Sequence, residues 1–320
     1  MRTAFLLALA GALPMLALDG IVLNGTSRRP QAGVEITLVQ PSANGMNQLG
    51  KATSGADGKF KIDAIIPPGP GLVQATYSGV TYNTIITPGM PTSGVEVRVF
   101  DATKSASLAK AAEHLILMEP TADQIKISET FVFLNETTTT FNDPERGSAR
   151  FFIPPGSVEK ARVVISAPGG MPITRPAGKT SEKNIYKADY PIKPGETRID
   201  LTYTTPAAQK IAGKIAPSDS STHIVTPGTV TLTGDGIEPA GREPQTQANI
   251  YNVTGLDYNL LIDGIGQLRP DPGTAPEEDN GQPKAQFVPA RIDERKWWIV
   301  GLTCSILALG GAMLFRRGTA

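Results

Sequence analysis

Residues suited to acid–base or nucleophilic chemistry are scarce in this sequence. Only two histidines occur, His114 and His223, and neither lies in an HExxH or HxxE zinc-binding pattern. A Ser-His-Asp set would need one of them, yet the chain contains no G-x-S-x-G segment. The only cysteine, Cys304, lies in an apolar run near the C-terminus, so the rest of the chain has neither thiolates nor disulfides. We therefore predict no catalytic residues, no metal ligands and no cofactor-binding residues.

Three further patterns favour turns and linkers over binding sites. The glycine pairs in 234–236 and 264–266 lack a P-loop lysine, and we expect hairpin turns there. The acidic segment 277–279 offers oxygen ligands but lacks EF-hand spacing, which indicates solvated linker charge. Sugar-binding surfaces usually present exposed aromatic side chains. Because Trp297 and Trp298 begin the apolar run, only the seven tyrosines remain for that role.

Strand and turn patterns fill the chain between its two ends. Valines at 95, 97 and 99 alternate with Glu96 and Arg98, a period of two that is typical of a strand with one buried face. Similar segments recur at roughly ten-residue spacing, which is typical of a β-sandwich. The high content of 33 glycines and 27 prolines supplies the turns. We therefore expect an all-β fold. The formal net charge of +0 gives no indication of a nucleic-acid partner.

The stretch 105–118 is ambiguous. Its alanines favour a helix, with apolar residues at helical spacing. The run 115–118 equally suits the start of a strand, and periodicity cannot decide over so short a length.

A family resemblance covers about the first quarter of the chain. Segments 20–22 and 33–36 are followed by the turn motif Asp57-Gly58-Lys59-Phe60, and then by a Pro/Gly turn and the segment 73–77. This order resembles the carboxypeptidase regulatory-like domain. The resemblance implies a transthyretin-like Greek-key sandwich of seven strands and an extracytoplasmic location, but no reaction. Asp57-Gly58 before Phe60 also suits a hairpin turn with positive φ.

The N-terminus has the layout of a secretory signal. Arg2 precedes the apolar run 5–13, which is too short to span a bilayer, and Ala17 offers a small residue for cleavage. An uncleaved N-terminal anchor is the alternative.

The C-terminus contains a predicted membrane anchor. The 19 residues of 297–315 carry no charge, and a helix of that length reaches about 28 Å, close to the hydrocarbon thickness of a bilayer. Trp297 and Trp298 would lie at one interface, and Arg316 and Arg317 follow the run. Lysines and arginines flank both sides, so the signal decides the orientation and leaves the tail inside. The tail also resembles a bacterial sorting signal, although the usual preceding motifs are missing.

These features predict a six-part organisation. We expect a signal peptide (1–18), a carboxypeptidase regulatory-like sandwich (19–102), a second β-sandwich region (103–266), a proline-rich linker (267–295), a transmembrane helix (296–316) and a cytoplasmic tail (317–320). The second region is either one large sandwich or two that split near 206–217.

The expected function is a non-enzymatic envelope protein, anchored in the membrane, that presents β-sandwiches to a protein partner or a surface. A glycan- or peptidoglycan-binding module is the alternative. A hydrolase is a further alternative, and it requires a cleft in which His114 or His223 meets a carboxylate and a hydroxyl.

Overall fold

The computed structural model describes residues 17–42, 45–64, 66, 69–108, 110–216 and 221–268. Almost all regular structure in this part of the chain is β-strand. The helices among these residues are two single 3-10 turns, Ala106–Leu108 and Val158–Lys160. The prediction of an all-β fold is therefore confirmed for the described residues.

The strands of the first region (19–102) form two four-stranded sheets. In chain order the strands are β1 (Ala17–Asn24), β2 (Arg29–Pro30), β3 (Glu35–Ser42), β4 (Gly45–Thr53), β5 (Lys59–Asp63), β6 (Gly71–Tyr77), β7 (Val80–Ile86) and β8 (Val95–Val99). In one sheet, β1 pairs antiparallel with β2 and β5 and parallel with β8. The other sheet has the antiparallel order β4-β3-β6-β7.

A single apolar core lies within the first region. Val97 and Val99 of β8 are fully buried, whereas Glu96 and Arg98, which each precede one of them, are exposed, as the alternation in the sequence predicts. The core begins with Leu18, which has no exposed surface. Residues 17 and 18 of the expected signal therefore lie within strand β1. Cleavage directly after Ala17 would leave Leu18 in this core.

The second region (103–266) supplies the remaining strands. They are β9 (Ala102–Thr103), β10 (Ala111–Pro120), β11 (Gln124–Asn135), β12 (Thr140–Phe141), β13 (Ala149–Phe152), β14 (Arg162–Ser166), β15 (Ile173–Arg175), β16 (Gly178–Lys179), β17 (Ile185–Ala188), β18 (Gly195–Pro206), β19 (Lys210–Lys214), β20 (Thr222–Thr226), β21 (Thr231–Asp235), β22 (Ile237–Arg242), β23 (Asn249–Val253) and β24 (Asp257–Asp263). Strand β9 begins at the last residue of the first region and continues into the second.

An eight-stranded sheet dominates the second region, in the order β15-β14-β18-β11-β10-β20-β23-β22. The pair β10–β20 is parallel, and the others are antiparallel. Two three-stranded sheets, β13-β17-β16 and β19-β24-β21, accompany it, and one apolar core runs from Ala111 to Leu260. Strands from before and after 206–217 therefore share one sheet and one core.

Two of the expected hairpins are wrong. Strand β4 pairs with β3 and strand β5 pairs with β1, so the turn at Asp57-Gly58 connects two different sheets. The glycine pair in 234–236 likewise connects β21, which pairs with β24, to β22, which pairs with β23. The pair in 264–266 follows β24, the last strand of the described residues. Local turn signals locate a reversal but carry no information about the pairing partner.

The ambiguous stretch 105–118 resolves into a short helix and a long strand. The 3-10 turn Ala106–Leu108 ends before β10, which begins at Ala111 and pairs on both sides. Pairing with β11 and β20 outweighs the helical preference of the alanines.

Candidate functional site

The structure brings His114 together with a carboxylate and a hydroxyl. Strand β10 lies between β11 and β20, so His114 faces residues of both neighbours. Its Nδ1 lies 2.9 Å from the Thr222 hydroxyl, and its Nε2 lies 3.3 Å from a Glu129 carboxylate oxygen. These are the group types that the hydrolase alternative requires, and each of the two lies within hydrogen-bonding distance of His114.

This His114 cluster is enclosed in the core. His114, Glu129 and Thr222 are between 3% and 5% exposed. The Phe131 ring stacks on the imidazole with ring centroids 4.1 Å apart, and the Tyr203 hydroxyl donates to Glu129 over 3.4 Å. Burial and the nearby Glu129 carboxylate raise the pKa of Tyr203 well above its ordinary value. Because all three side chains are almost completely buried, we interpret the cluster as a buried network that satisfies its own polar groups.

His223 forms no comparable set. It is half-buried on β20, and its Nδ1 lies 2.9 Å from the Asn252 side-chain oxygen on β23. This hydrogen-bond partner is an amide, which is neither charged nor nucleophilic, so the contact supports a structural role.

The first and second regions meet at a polar junction. Strand β9 pairs in parallel with β12. The Tyr82 hydroxyl of β7 donates to the Phe100 carbonyl over 2.9 Å and lies 2.9 Å from the Thr140 hydroxyl of β12. The Thr26 hydroxyl donates to the Thr138 carbonyl. Side chains from the first region thus hydrogen-bond directly to the second.

Lys193 is the most unusual residue of this junction. It belongs to the second region and is only 4% exposed. Its ammonium donates to the Thr81 carbonyl on β7 and lies 5.3 Å and 5.6 Å from the ring centroids of Tyr82 and Tyr190. None of the described carboxylates lies within ion-pair distance of it. Burial lowers the pKa of Lys193 from 10.5 to about 8.

A cavity of about 310 Å³ has Lys193 in its wall. We call it the junction cavity. Its walls come from both regions, and they comprise Tyr82, Asn83, Thr84, Glu96, Arg98 and Phe100 on one side and Pro168, Gly169, Lys193 and Pro194 on the other. The junction cavity therefore has a buried lysine and two aromatic residues, Tyr82 and Phe100, in its wall.

The second region also covers the free edge of β7. This strand pairs only with β6, yet two of its outer carbonyls are closely approached by the second region. Lys193 occupies the carbonyl of Thr81, and a Cβ built on Gly169 would lie 2.7 Å from the carbonyl of Asn83. Covering an edge in this way blocks unwanted strand pairing.

Strand β4 is an edge of a different kind. It is nine residues long, pairs only with β3, and contains no proline and one charged residue, Lys51. Its first four residues are exposed, including Met46 at 48%. A long edge with little charge and no proline can add a strand from another chain.

The second cavity and the acidic side chains give little support for a catalytic or metal-binding site. A cavity of about 400 Å³ lies between Ile125 and Ile262, and Asp263 is the one charged residue that lines it. Within the described ranges, no three His, Cys, Asp or Glu side chains are grouped closely enough to hold a metal ion.

The tyrosines offer no exposed platform for a sugar. Tyr82, Tyr203, Tyr251 and Tyr258 are buried. The other three, Tyr77, Tyr186 and Tyr190, are half-buried. No observation on these seven residues favours the glycan alternative.

The turn motif has a structural position. Gly58 has φ of +76°, as the motif predicts, and Phe60 packs into the first core with 4% exposure. Asp57 accepts a hydrogen bond from the Lys59 N–H over 3.1 Å, which lowers the pKa of this exposed carboxyl.

The predicted membrane anchor lies outside the described residues. This applies to Trp297, Trp298, Arg316 and Arg317, and also to the acidic segment 277–279. In the part that is described, no helix combines the length and the hydropathy of a membrane span.

Comparison with known proteins gives no family. No family model matches the chain, and no curated protein sequence matches it. Among solved structures, an M1 zinc metallopeptidase from Deinococcus radiodurans aligns over 48% of this chain and 42% of its own, at 9% identity with a TM-score of 0.25. The chain thus spans less than half the length of that peptidase. A tetra-tandem repeat from the extending region of a large adhesion protein aligns over 78% of this chain and 66% of its own, at 12% identity with a TM-score of 0.14.

Proposed function

We propose that this chain is a non-enzymatic envelope protein that binds a protein partner through its β-sandwich regions. A C-terminal helix (296–316) would hold it in the membrane, and the proline-rich linker (267–295) would space the β-rich body from the lipid. The first region would be a transthyretin-like Greek-key sandwich of the carboxypeptidase regulatory-like type. The signal-like N-terminus and the uncharged run 297–315 support this location.

The exposed edge of β4 is the observation that carries the proposal of a protein partner. Three of the other edge strands are short or protected. Strand β15 has three residues between Pro172 and Pro176, and β22 contains Pro239 at an irregularity in its register. Strand β19 has a lysine at each end. Against these protected edges, the first half of β4 is an open template for an extended segment.

The backbone geometry of β4 supports this interpretation. Met46 lies opposite Pro41 in the β3–β4 register. Because proline has no N–H, this pair is of the non-hydrogen-bonded type, and the backbone groups of Met46 point away from β3. A partner strand would accept the N–H of Met46 and donate to its carbonyl.

Substitution of Met46 tests the proposal. We expect Met46→Pro to abolish capture of the partner from envelope extracts, because proline removes the outward N–H while tolerating an edge position. Met46→Ala is the matched control, since it removes the side chain but keeps the N–H, and capture should persist. Equal capture by wild type and Met46→Pro would contradict strand addition at β4. Light scattering of the purified chain would show whether the added strand comes from a second copy instead.

Membrane topology is tested separately. We expect the chain in the membrane fraction, with the β-rich body degraded when protease is added to the outer side of intact cells or spheroplasts. Recovery of the chain in the soluble cytosolic fraction would contradict the location.

A further inference from the structure

The ammonium of Lys193 is incompletely satisfied. A lysine has three N–H donors. One donates to the Thr81 carbonyl, and the aromatic faces of Tyr82 and Tyr190 lie more than 5 Å away. Two donors therefore have no acceptor among the described residues, although Lys193 is only 4% exposed.

Among the described residues, the Lys193 ammonium has two aromatic faces beside it but no carboxylate that pairs with its charge. The charged groups that line the junction cavity with it are Glu96 and Arg98 of β8. These two pair with each other over 2.6 Å, and both are more than 40% exposed. The phenols of Tyr82 and Tyr190 are neutral near neutral pH, since their ordinary pKa is 10.0 and burial raises it further. A buried cation without an anionic partner is costly, and an anion in the cavity would offset that cost.

We propose that the junction cavity binds a small organic carboxylate. Its two oxygens would accept the two free N–H donors of Lys193, and its apolar body would lie against Tyr82, Phe100, Pro168 and Pro194. The cavity volume of about 310 Å³ suits a molecule of a few carbon atoms or one small ring. A single ammonium beside apolar walls matches a single negative charge better than a phosphate dianion, which needs several donors. This site is independent of the protein partner proposed above.

Such a ligand would contact both regions at once. Tyr82 and Phe100 belong to the first region, and Pro168 and Lys193 belong to the second. A ligand that binds only the assembled junction stabilises it by mass action, so occupancy would raise the stability of the whole β-rich body.

Calorimetric titration tests this site. The full chain in detergent is titrated with sodium propionate and with sodium benzoate at pH 7, with sodium chloride balancing the ionic strength. We expect saturable binding of at least one carboxylate. Lys193→Met should weaken it by about 10- to 100-fold, the worth of a charged hydrogen bond. Lys179→Met, at an exposed lysine, is the matched control and should bind like wild type. Absence of saturable binding, or equal binding by Lys193→Met, would overturn the proposal.

A pH series on the wild-type chain gives a second readout that needs no variant. The carboxylate stays ionised between pH 7 and pH 9.5, whereas Lys193 loses its proton as the pH rises through about 8. The affinity should therefore fall over this interval. An affinity that is unchanged at pH 9.5 would exclude the Lys193 ammonium as the binding group.

Discussion

At the residue scale, Lys193 is the side chain whose environment departs most from its ordinary state. Its ammonium connects the second region to the Thr81 carbonyl of the first. A neutral donor would make the same hydrogen bond without the desolvation cost of a charge. The lowered pKa is the measure of that cost, and it makes the stability of the molecule depend on pH.

The pH dependence of unfolding tests this charge. The pKa of Lys193 is about 8 in the folded chain against 10.5 in the unfolded chain, so the unfolded chain binds more protons between these values. The wild type should therefore gain stability relative to Lys193→Met as the pH rises from 8 to 10.5, by about 3 kcal/mol at most. Denaturant unfolding of both proteins at pH 7 and pH 10.5 measures the difference. A gap that does not change with pH would show that Lys193 is not desolvated.

The His114 cluster is the second residue-scale feature, and we expect it to contribute stability. Thr222→Val keeps the side-chain shape but removes the hydroxyl 2.9 Å from His114 Nδ1. A buried imidazole left without that partner should cost about 1–3 kcal/mol of unfolding free energy. The matched control is Thr231→Val on the exposed face of β21, which should change stability by less than about 0.5 kcal/mol. Equal effects at both positions would mean that the hydroxyl contributes nothing to the core.

At the scale of elements, the turn at Asp57-Gly58 directs the chain from one sheet of the first region to the other. Gly58 combines a φ of +76° with a close approach, since a Cβ there would lie 2.8 Å from the Val22 carbonyl. Both the backbone conformation and the close packing therefore require glycine at position 58.

A pair of glycine substitutions separates these two requirements. Gly33 has a similar φ of +72°, but a Cβ there would meet nothing within 4 Å. We expect Gly33→Ala to cost about 1 kcal/mol for the left-handed backbone alone. Gly58→Ala should cost at least about 1 kcal/mol more, because the clash with Val22 is added. Thermal and denaturant unfolding of the two variants measure the costs, and a smaller cost at Gly58 would contradict the contact with β1.

The two edge strands of the β4-β3-β6-β7 sheet differ in how open they are to pairing with a further strand. Strand β7 is covered by Lys193 and by the loop at Gly169, whereas the first half of β4 is left open. Both strands are edges of the same sheet, so the second region protects one side of it and leaves the other available.

For the molecule as a whole, we expect the junction to determine whether the two regions unfold together. Hydrogen bonds from Tyr82 and Thr26, and the pair β9–β12, connect cores that are otherwise separate. The two regions unfold cooperatively only if these contacts stabilise the junction by more than the free energy gained when the regions separate.

Calorimetry of a junction variant tests this coupling. Tyr82→Phe removes the hydroxyl that lies between the Phe100 carbonyl and Thr140. We expect a loss of about 1–3 kcal/mol and a broadening or splitting of the unfolding transition. Tyr186→Phe, at a half-buried tyrosine within the second region, is the control and should keep the wild-type profile. An unchanged profile for Tyr82→Phe would show that the hydroxyl does not couple the regions.

Local patterns in the sequence predict individual strands and turns of this protein. Alternation at Val95, Val97 and Val99 predicts β8 with its buried face, and the motif at Gly58 predicts a turn with positive φ. Both follow from side-chain period and backbone conformation, which depend on adjacent residues. The wrong hairpin predictions have the same cause. The glycines in 234–236 specify a turn, but they do not specify that β21 pairs with β24 and β22 with β23.

Which distant residues meet follows from strand pairing and from packing between the regions. His114 and Thr222 are 108 residues apart, and they become neighbours through the parallel pairing of β10 with β20. Lys193 is one of 30 basic residues, and no motif distinguishes it. Its burial arises because the second region packs against the edge of β7. Burial and charge compensation depend on contacts between elements, and these are absent from any local pattern.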